Sequence, residues 1–181
     1  DIMRAELVGI SLATGPNRAC YIPLSHVTAG GDGGDLFTPK AIIRPGQIAK
    51  AEALKALEPL LSDPGVLKVG QNLKYDISIL AREGLAITPF DDTMAMSFAL
   101  GAGLHGHGMD ELAERHFSYS PVPFKEVAGA GKSQITFDAV EIAPATRYAA
   151  EDADVTFRLW QTLKPRLRTE QVLSVYEGIE R

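Results

Sequence analysis

The octapeptide VGQNLKYD, Val69 to Asp76, gathers two amides, a lysine, a tyrosine and a carboxylate where an apolar strand runs into a helical segment. Two readings fit it. Asn72 can cap the helix, Tyr75 can lie half-buried and Asp76 can complement the helix dipole. Alternatively, Asp76 stands at the carboxyl end of a strand, where open α/β sheets place ligand sites. A second cluster, Tyr148-Ala149-Ala150-Glu151-Asp152, lies within a helical run, and its four-residue spacing stacks Tyr148 over Asp152 on one face. A carboxylate able to hold Mg²⁺, with a phenol one turn away to orient a water, is a workable layout for phosphodiester hydrolysis. An exposed run of charge over Glu151 to Asp154 accounts for the same residues without chemistry.

These residues need a scaffold. The 181 residues, 45% apolar and 23% charged, suit one globular domain with a sizeable core. A net charge of −5 argues against a broad grip on duplex nucleic acid, though an acidic pocket can meet a phosphate through bound cations. The single cysteine, Cys20, precludes an internal disulfide and favours a reducing cytosol. No apolar run reaches the length of a membrane span, and the first residues lack the pattern of a signal peptide. A first residue other than Met suggests a fragment or a processed chain.

The pattern predicts a hairpin of strands over 7–14 and 19–24 turning at Gly15-Pro16-Asn17, then a mobile Gly/Asp-rich loop over 28–35. Helical spacing covers 47–61, closed by Pro64-Gly65, and a short buried strand covers 66–70. Further helices are expected over 76–83, stopped by Gly84, and over 93–100, 109–117 and 144–163, with a strand over 87–90 and a last helix over 169–179. Residues 101–108 and 118–131 read as irregular. A hairpin followed by alternating strands and helices indicates an α/β mixed sheet flanked by helices.

Two competing signals carry less. Gly129-Ala130-Gly131-Lys132-Ser133 imitates a phosphate-binding loop, but Glu126 stands where that pattern requires glycine and no strand precedes it. His105 and His107 read as solvated loop residues rather than zinc ligands.

Taken together, VGQNLKYD at 69–76, FDDTMAMSFAL at 90–100, MDELAERHF at 109–117 and RYAAEDADVTFRLW at 147–160 resemble the 3′-to-5′ exonuclease domain of bacterial family A DNA polymerases, the DNA polymerase I group. That domain belongs to the DEDD superfamily, in the subgroup whose third motif begins with tyrosine. The resemblance implies an RNase H-like α/β fold and proofreading hydrolysis of single-stranded DNA 3′ ends with two Mg²⁺ ions, Mn²⁺ or Zn²⁺ being substitutes. By it Asp76 and Asp152 are metal ligands, Tyr148 orients the attacking water, Gln71, Asn72 and Tyr75 line the cleft, Arg115 meets phosphate and Phe124 stacks on a base. It further implies a cytoplasmic bacterial protein, with residues 1–181 as one domain and residues 165–181 as a connecting helix toward a polymerase domain.

The family's first motif, Asp-x-Glu, lies on a central first strand, and no Asp-x-Glu precedes Leu7. The chain is therefore expected to lack that strand and two of four carboxylates, and to be inactive by itself. The space between its neighbours is expected to close by collapse, by a swapped segment or by self-association. Alternatives that share these motifs are a catalytically inactive scaffold or single-strand-binding module of a polymerase, and an RNA-trimming exonuclease of the RNase D kind.

Overall fold

The computed structural model describes residues 5–28 and 42–180. Strands β1 (Gly9–Gly15) and β2 (Arg18–Pro23) form the antiparallel hairpin, with Asn17 in the left-handed conformation its tight turn requires. A Cβ at Gly9 would fall 2.2 Å from the Tyr21 hydroxyl, so glycine lets that ring lie across β1. The short strands β3 (Val27–Thr28) and β4 (Ile42–Ile43) pair antiparallel. Beyond Thr28, the loop expected over 28–35 lies outside the described residues.

Helix α1 (Lys50–Ser62) leads to β5 (Lys68–Gly70), which runs into α2 (Lys74–Arg82). Gly84, at φ +84°, ends α2: its N–H bonds the Ala81 carbonyl, and the Leu85 N–H bonds that of Leu80 at 2.9 Å. This double closure is the Schellman arrangement, and the accompanying Leu80–Leu85 contact falls in the core. Strand β6 (Phe90–Asp92) pairs parallel with β5 and passes directly into α3 (Thr93–Gly101). It starts later than the 87–90 expected from sequence. Ile87 is drawn into the core, and the ladder begins only after the cis Thr88–Pro89 bond.

Helix α4 (Met109–Phe117) precedes a short α5 (Phe124–Ala128) and 3-10 turns at Gly131–Ser133 and Phe137–Ala139, inside the stretch read as irregular and just beyond it. Helix α6 (Ile142–Thr169) is longer than expected, running through Pro165 because Leu159, Leu163 and Leu167, one turn apart, are all buried. The expected last helix is broken. Gln171, at φ +61°, separates α6 from a short α7 (Leu173–Val175) and a π turn (Tyr176–Glu180) that packs on the body through a fully buried Tyr176.

Helix α6 lies against β1, β2 and β5, so the hairpin and the parallel pair rest on one long support. Among the described residues, β1 pairs only with β2 and β5 only with β6. The collapse of β1 onto β5, one of the expected closures, is not what the chain adopts. Among the described residues three apolar clusters hold these elements: Leu7, Leu24, Leu54 and Leu80 join the flanks of the hairpin to α1 and α2, Met96, Leu112, Leu159 and Tyr176 join α3, α4 and α6 to the C-terminal turn, and Ala128, Val140 and Ala145 seat α5 against α6.

Candidate active site

The acidic run on α6 divides its labour. Glu151 accepts hydrogen bonds from the Tyr119 hydroxyl and, at 2.7 Å, from the Val122 N–H, tying the 119–122 loop to the helix. Asp154 accepts the Asn17 N–H at 2.5 Å and pairs with Arg158 at 2.8 Å, docking the hairpin turn. Asp152, between them, does neither. Its Oδ1 is buried with no hydrogen-bond partner. Burial pushes its carboxyl up to about 7; the Tyr148 hydroxyl hydrogen-bonds to it and works in the opposite direction, while the negative charges of Asp110 and Glu151 add to the rise. Burial and the Asp152 charge push Tyr148 upward too, so it is a neutral phenol at ordinary pH.

Tyr148 stands in an aromatic wall. Phe124 meets it edge-on with ring centroids 5.8 Å apart, Phe137 lies 5.9 Å away, and Phe137 in turn touches His26 at 5.6 Å. His26 is fully buried, its Nδ1–H donating to the Val140 carbonyl at 3.0 Å and its Nε2 accepting from the Tyr21 hydroxyl at 2.7 Å. Burial lowers its pKa, so the ring is neutral, and burial pushes Tyr21 up to about 12. Phe124 keeps 37% of its surface exposed, enough to offer a face to a ligand. Next to this wall a cleft of about 510 Å³ is lined by Asp110, Tyr119, Pro121, Glu126 and Glu151. A phosphate entering such acidic surroundings requires a cation.

The second group gathers where β5 meets α2. Asn72, at φ +56°, makes the turn, and Asp76 follows in the first turn of α2. Asp76 retains an exposed surface, yet the protein crowded around its carboxyl, with the Asp92 charge adding to it, pushes it up to about 6; water at this open position moderates the rise. Tyr75 is 40% exposed. Both ends of the Gln71 amide are taken, the nitrogen donating to the His107 carbonyl at 2.8 Å and the oxygen accepting from the Thr93 hydroxyl, so Gln71 braces the cleft. His107 is not solvated as expected: its ring lies 4.0 Å from Phe98 and bonds the Ser97 hydroxyl at 2.8 Å.

Tyr148, Asp152 and Phe124 thus form one group, and Gln71, Asn72 and Asp76 another, with β5 packed against α6. Arg115 is exposed in the last turn of α4, with no hydrogen bond or ion pair to either group among the described residues. Sequence reasoning passed over Asp92, Asp110 and Phe137. Asp92 and Asp110 stood in segments already singled out, whereas nothing local marks Phe137. Asp152, with its buried and unpartnered oxygen, and Asp76, with its raised carboxyl in the other group, are the residues that could each hold a hard divalent cation. No group of three or more His, Cys, Asp or Glu converges on one point among the described residues.

The profile of the 3′-5′ exonuclease domain of the A family of DNA polymerases matches residues 1–168, and the chain belongs to this family. It is 50% identical to DNA polymerase I of Rhizobium leguminosarum over 192 aligned positions, covering 100% of this chain and 18% of that protein. To DNA polymerase I of Pseudomonas aeruginosa it is 41% identical over 173 positions, covering 92% of this chain and 17% of the relative. The chain thus spans less than a fifth of these relatives. Among solved structures, NrnC of Brucella melitensis superposes with a TM-score of 0.63 at 19% identity, over 98% of this chain and 74% of that one. NrnC with bound Mg²⁺ gives 0.51 at 22% identity over 93% and 77%. These neighbours establish the RNase H-like fold.

Proposed function

We infer that the chain is the proofreading unit of a DNA polymerase I, removing the terminal nucleotide from single-stranded DNA 3′ ends, with a polymerase domain following in the same polypeptide. One observation carries this reading. In an acidic run whose other carboxylates are consumed by docking contacts, Asp152 holds a buried oxygen without a partner beside a neutral phenol. Family membership and the likeness to DNA polymerase I support it.

Asp76 and Asp152 would hold Mg²⁺, with Mn²⁺ or Zn²⁺ as substitutes. Divalent ions bound there supply charge neutralisation at the scissile phosphate and lower the pKa of the attacking water. The chain's own residues do the rest. Tyr148, held by Phe124 and Phe137, orients the water, which attacks phosphorus as the bond to the 3′ oxygen breaks and a nucleoside monophosphate leaves. Phe124 stacks on a terminal base, Asn72 and Tyr75 line the strand's path, Gln71 braces them and Arg115 meets the backbone. The family's site uses four carboxylates, of which these are two, so the 181 residues alone are expected to hydrolyse DNA negligibly. In the full-length protein, Asp152→Ala should abolish Mg²⁺-dependent shortening of end-labelled single-stranded DNA. Hydrolysis by that variant at the unmodified rate overturns the assignment.

A further inference from the structure

Asp92 ends β6 and caps α3, its Oδ1 accepting the Met94 N–H at 2.8 Å and the Ala95 N–H at 3.4 Å. A capping aspartate ordinarily stops there. This one also crosses to the neighbouring strand's exit, Oδ1 accepting the Asn72 N–H at 3.1 Å and Oδ2 the Leu73 N–H at 2.7 Å. The parallel register explains the reach, since Asp92 lies opposite Gly70, the last residue of β5. Leu73, the N-cap of α2, has no side-chain cap of its own. It packs so tightly over Gly70 that a Cβ there would come within 2.3 Å of it.

One carboxylate therefore holds four backbone N–H groups from the starts of two helices. Hydrogen bonds to an ionised acceptor are shorter and stronger than neutral ones. The Ile77 N–H bonds the Leu73 carbonyl at 2.8 Å, so fixing Leu73 fixes the turn that carries Asp76. We propose that Asp92 is a positioning residue for Asp76: it staples the start of α2 to the start of α3 and thereby sets where the Asp76 carboxylate and the exposed Asn72 and Tyr75 stand. The proposal rests on the exonuclease reading above.

Asp92→Ser separates the two halves of the staple, because a serine hydroxyl still caps α3 but is too short to reach Asn72 and Leu73. Asp92→Asn keeps one acceptor oxygen, and Asp76→Asn sets the benchmark. Each is made in the full-length protein and measured for Mn²⁺ binding by electron paramagnetic resonance, for kcat and KM on labelled single-stranded DNA, and for melting temperature. Groups that orient metal ligands typically cost about 10–100-fold in metal affinity or activity when removed. Asp92→Ser is expected to lose that much in Mn²⁺ affinity and in kcat, with KM little changed, and Asp92→Asn to fall between. Lower stability with unaltered Mn²⁺ binding and kcat, in a protein that Asp76→Asn inactivates, overturns the positioning role alone. Undiminished hydrolysis by Asp76→Asn overturns the reading beneath it.

Discussion

Replacing Tyr176 with Phe removes one oxygen and keeps the ring. That oxygen donates to Asp91 Oδ1 at 2.8 Å and accepts the Asp92 N–H at 3.0 Å. Tyr176 is fully buried and Asp91 is 1% exposed, so water cannot readily take the oxygen's place. Asp91 keeps the Trp160 indole N–H at 2.9 Å and the Lys164 ammonium at 3.0 Å. Its charge stays compensated, which puts the loss there near the lower end of the ~1.5–3 kcal/mol for hydrogen bonds to charged groups. Leaving the Asp92 N–H without this partner adds about 1 kcal/mol or more, for a total of about 3 kcal/mol. In a chain of this length that lowers the melting temperature by roughly 6–12 °C. Thermal and urea unfolding of both proteins measures it, with an unchanged denaturant slope showing that stability alone has moved. Trp160→Phe strips a second donor from the same carboxylate and should couple with it non-additively. A Tyr176→Phe protein that melts within about 1 °C of the parent refutes the reasoning.

Two further outcomes follow from the site. Burial holds the folded Asp152 at about 7, above the roughly 4 of an unfolded aspartate, so stability present below pH 4 is lost as pH rises through 7. Asp152→Asn cannot ionise; without divalent cations it should match the parent near pH 4 and exceed it at pH 8 by on the order of 2–4 kcal/mol, and parallel stability profiles would remove burial as the cause. Phe124→Ala in the full-length protein should weaken binding of short single-stranded DNA by about 1–3 kcal/mol in fluorescence anisotropy, and an unchanged affinity would take Phe124 out of the strand's path.

Local rules located most elements because local physics decides them. Asn17 turns the hairpin, Gly84 stops α2, and α4 falls on the residues its periodicity marks. The misplacements have tertiary causes. Pro165 is a plausible helix end until Leu167 finds a fully buried place in the same core as Leu159 and Leu163. Ile87 reads as strand but is recruited as core. At the site, the spacing of Tyr148 and Asp152 was legible, whereas the fates of Glu151 and Asp154 were not. Their partners, Val122 and Asn17, lie far away in sequence, and only the fold shows which carboxylate of the run stays uncommitted. The double duty of Asp92 depends on the parallel register of β5 and β6, which no local pattern encodes.

Helix α6 is also a lever. It carries Asp152 in one half and, in the other, Trp160 and Lys164, which grip Asp91 beside the C-terminal turn. Twelve residues separate Asp152 from Lys164, an arm of about 18 Å. A tilt of about 3° at the gripped end would carry the carboxylate through roughly 1 Å, a displacement that can cost about 100-fold in rate. Pro165 cannot bond the Gln161 carbonyl, so the weakest turn of the helix falls between Trp160 and Lys164, inside the gripped end. Leu167 and Tyr176, both fully buried beyond it, pin that same end of the helix to the core, so the grip on Asp91 and the placement of Asp152 stand or fall together.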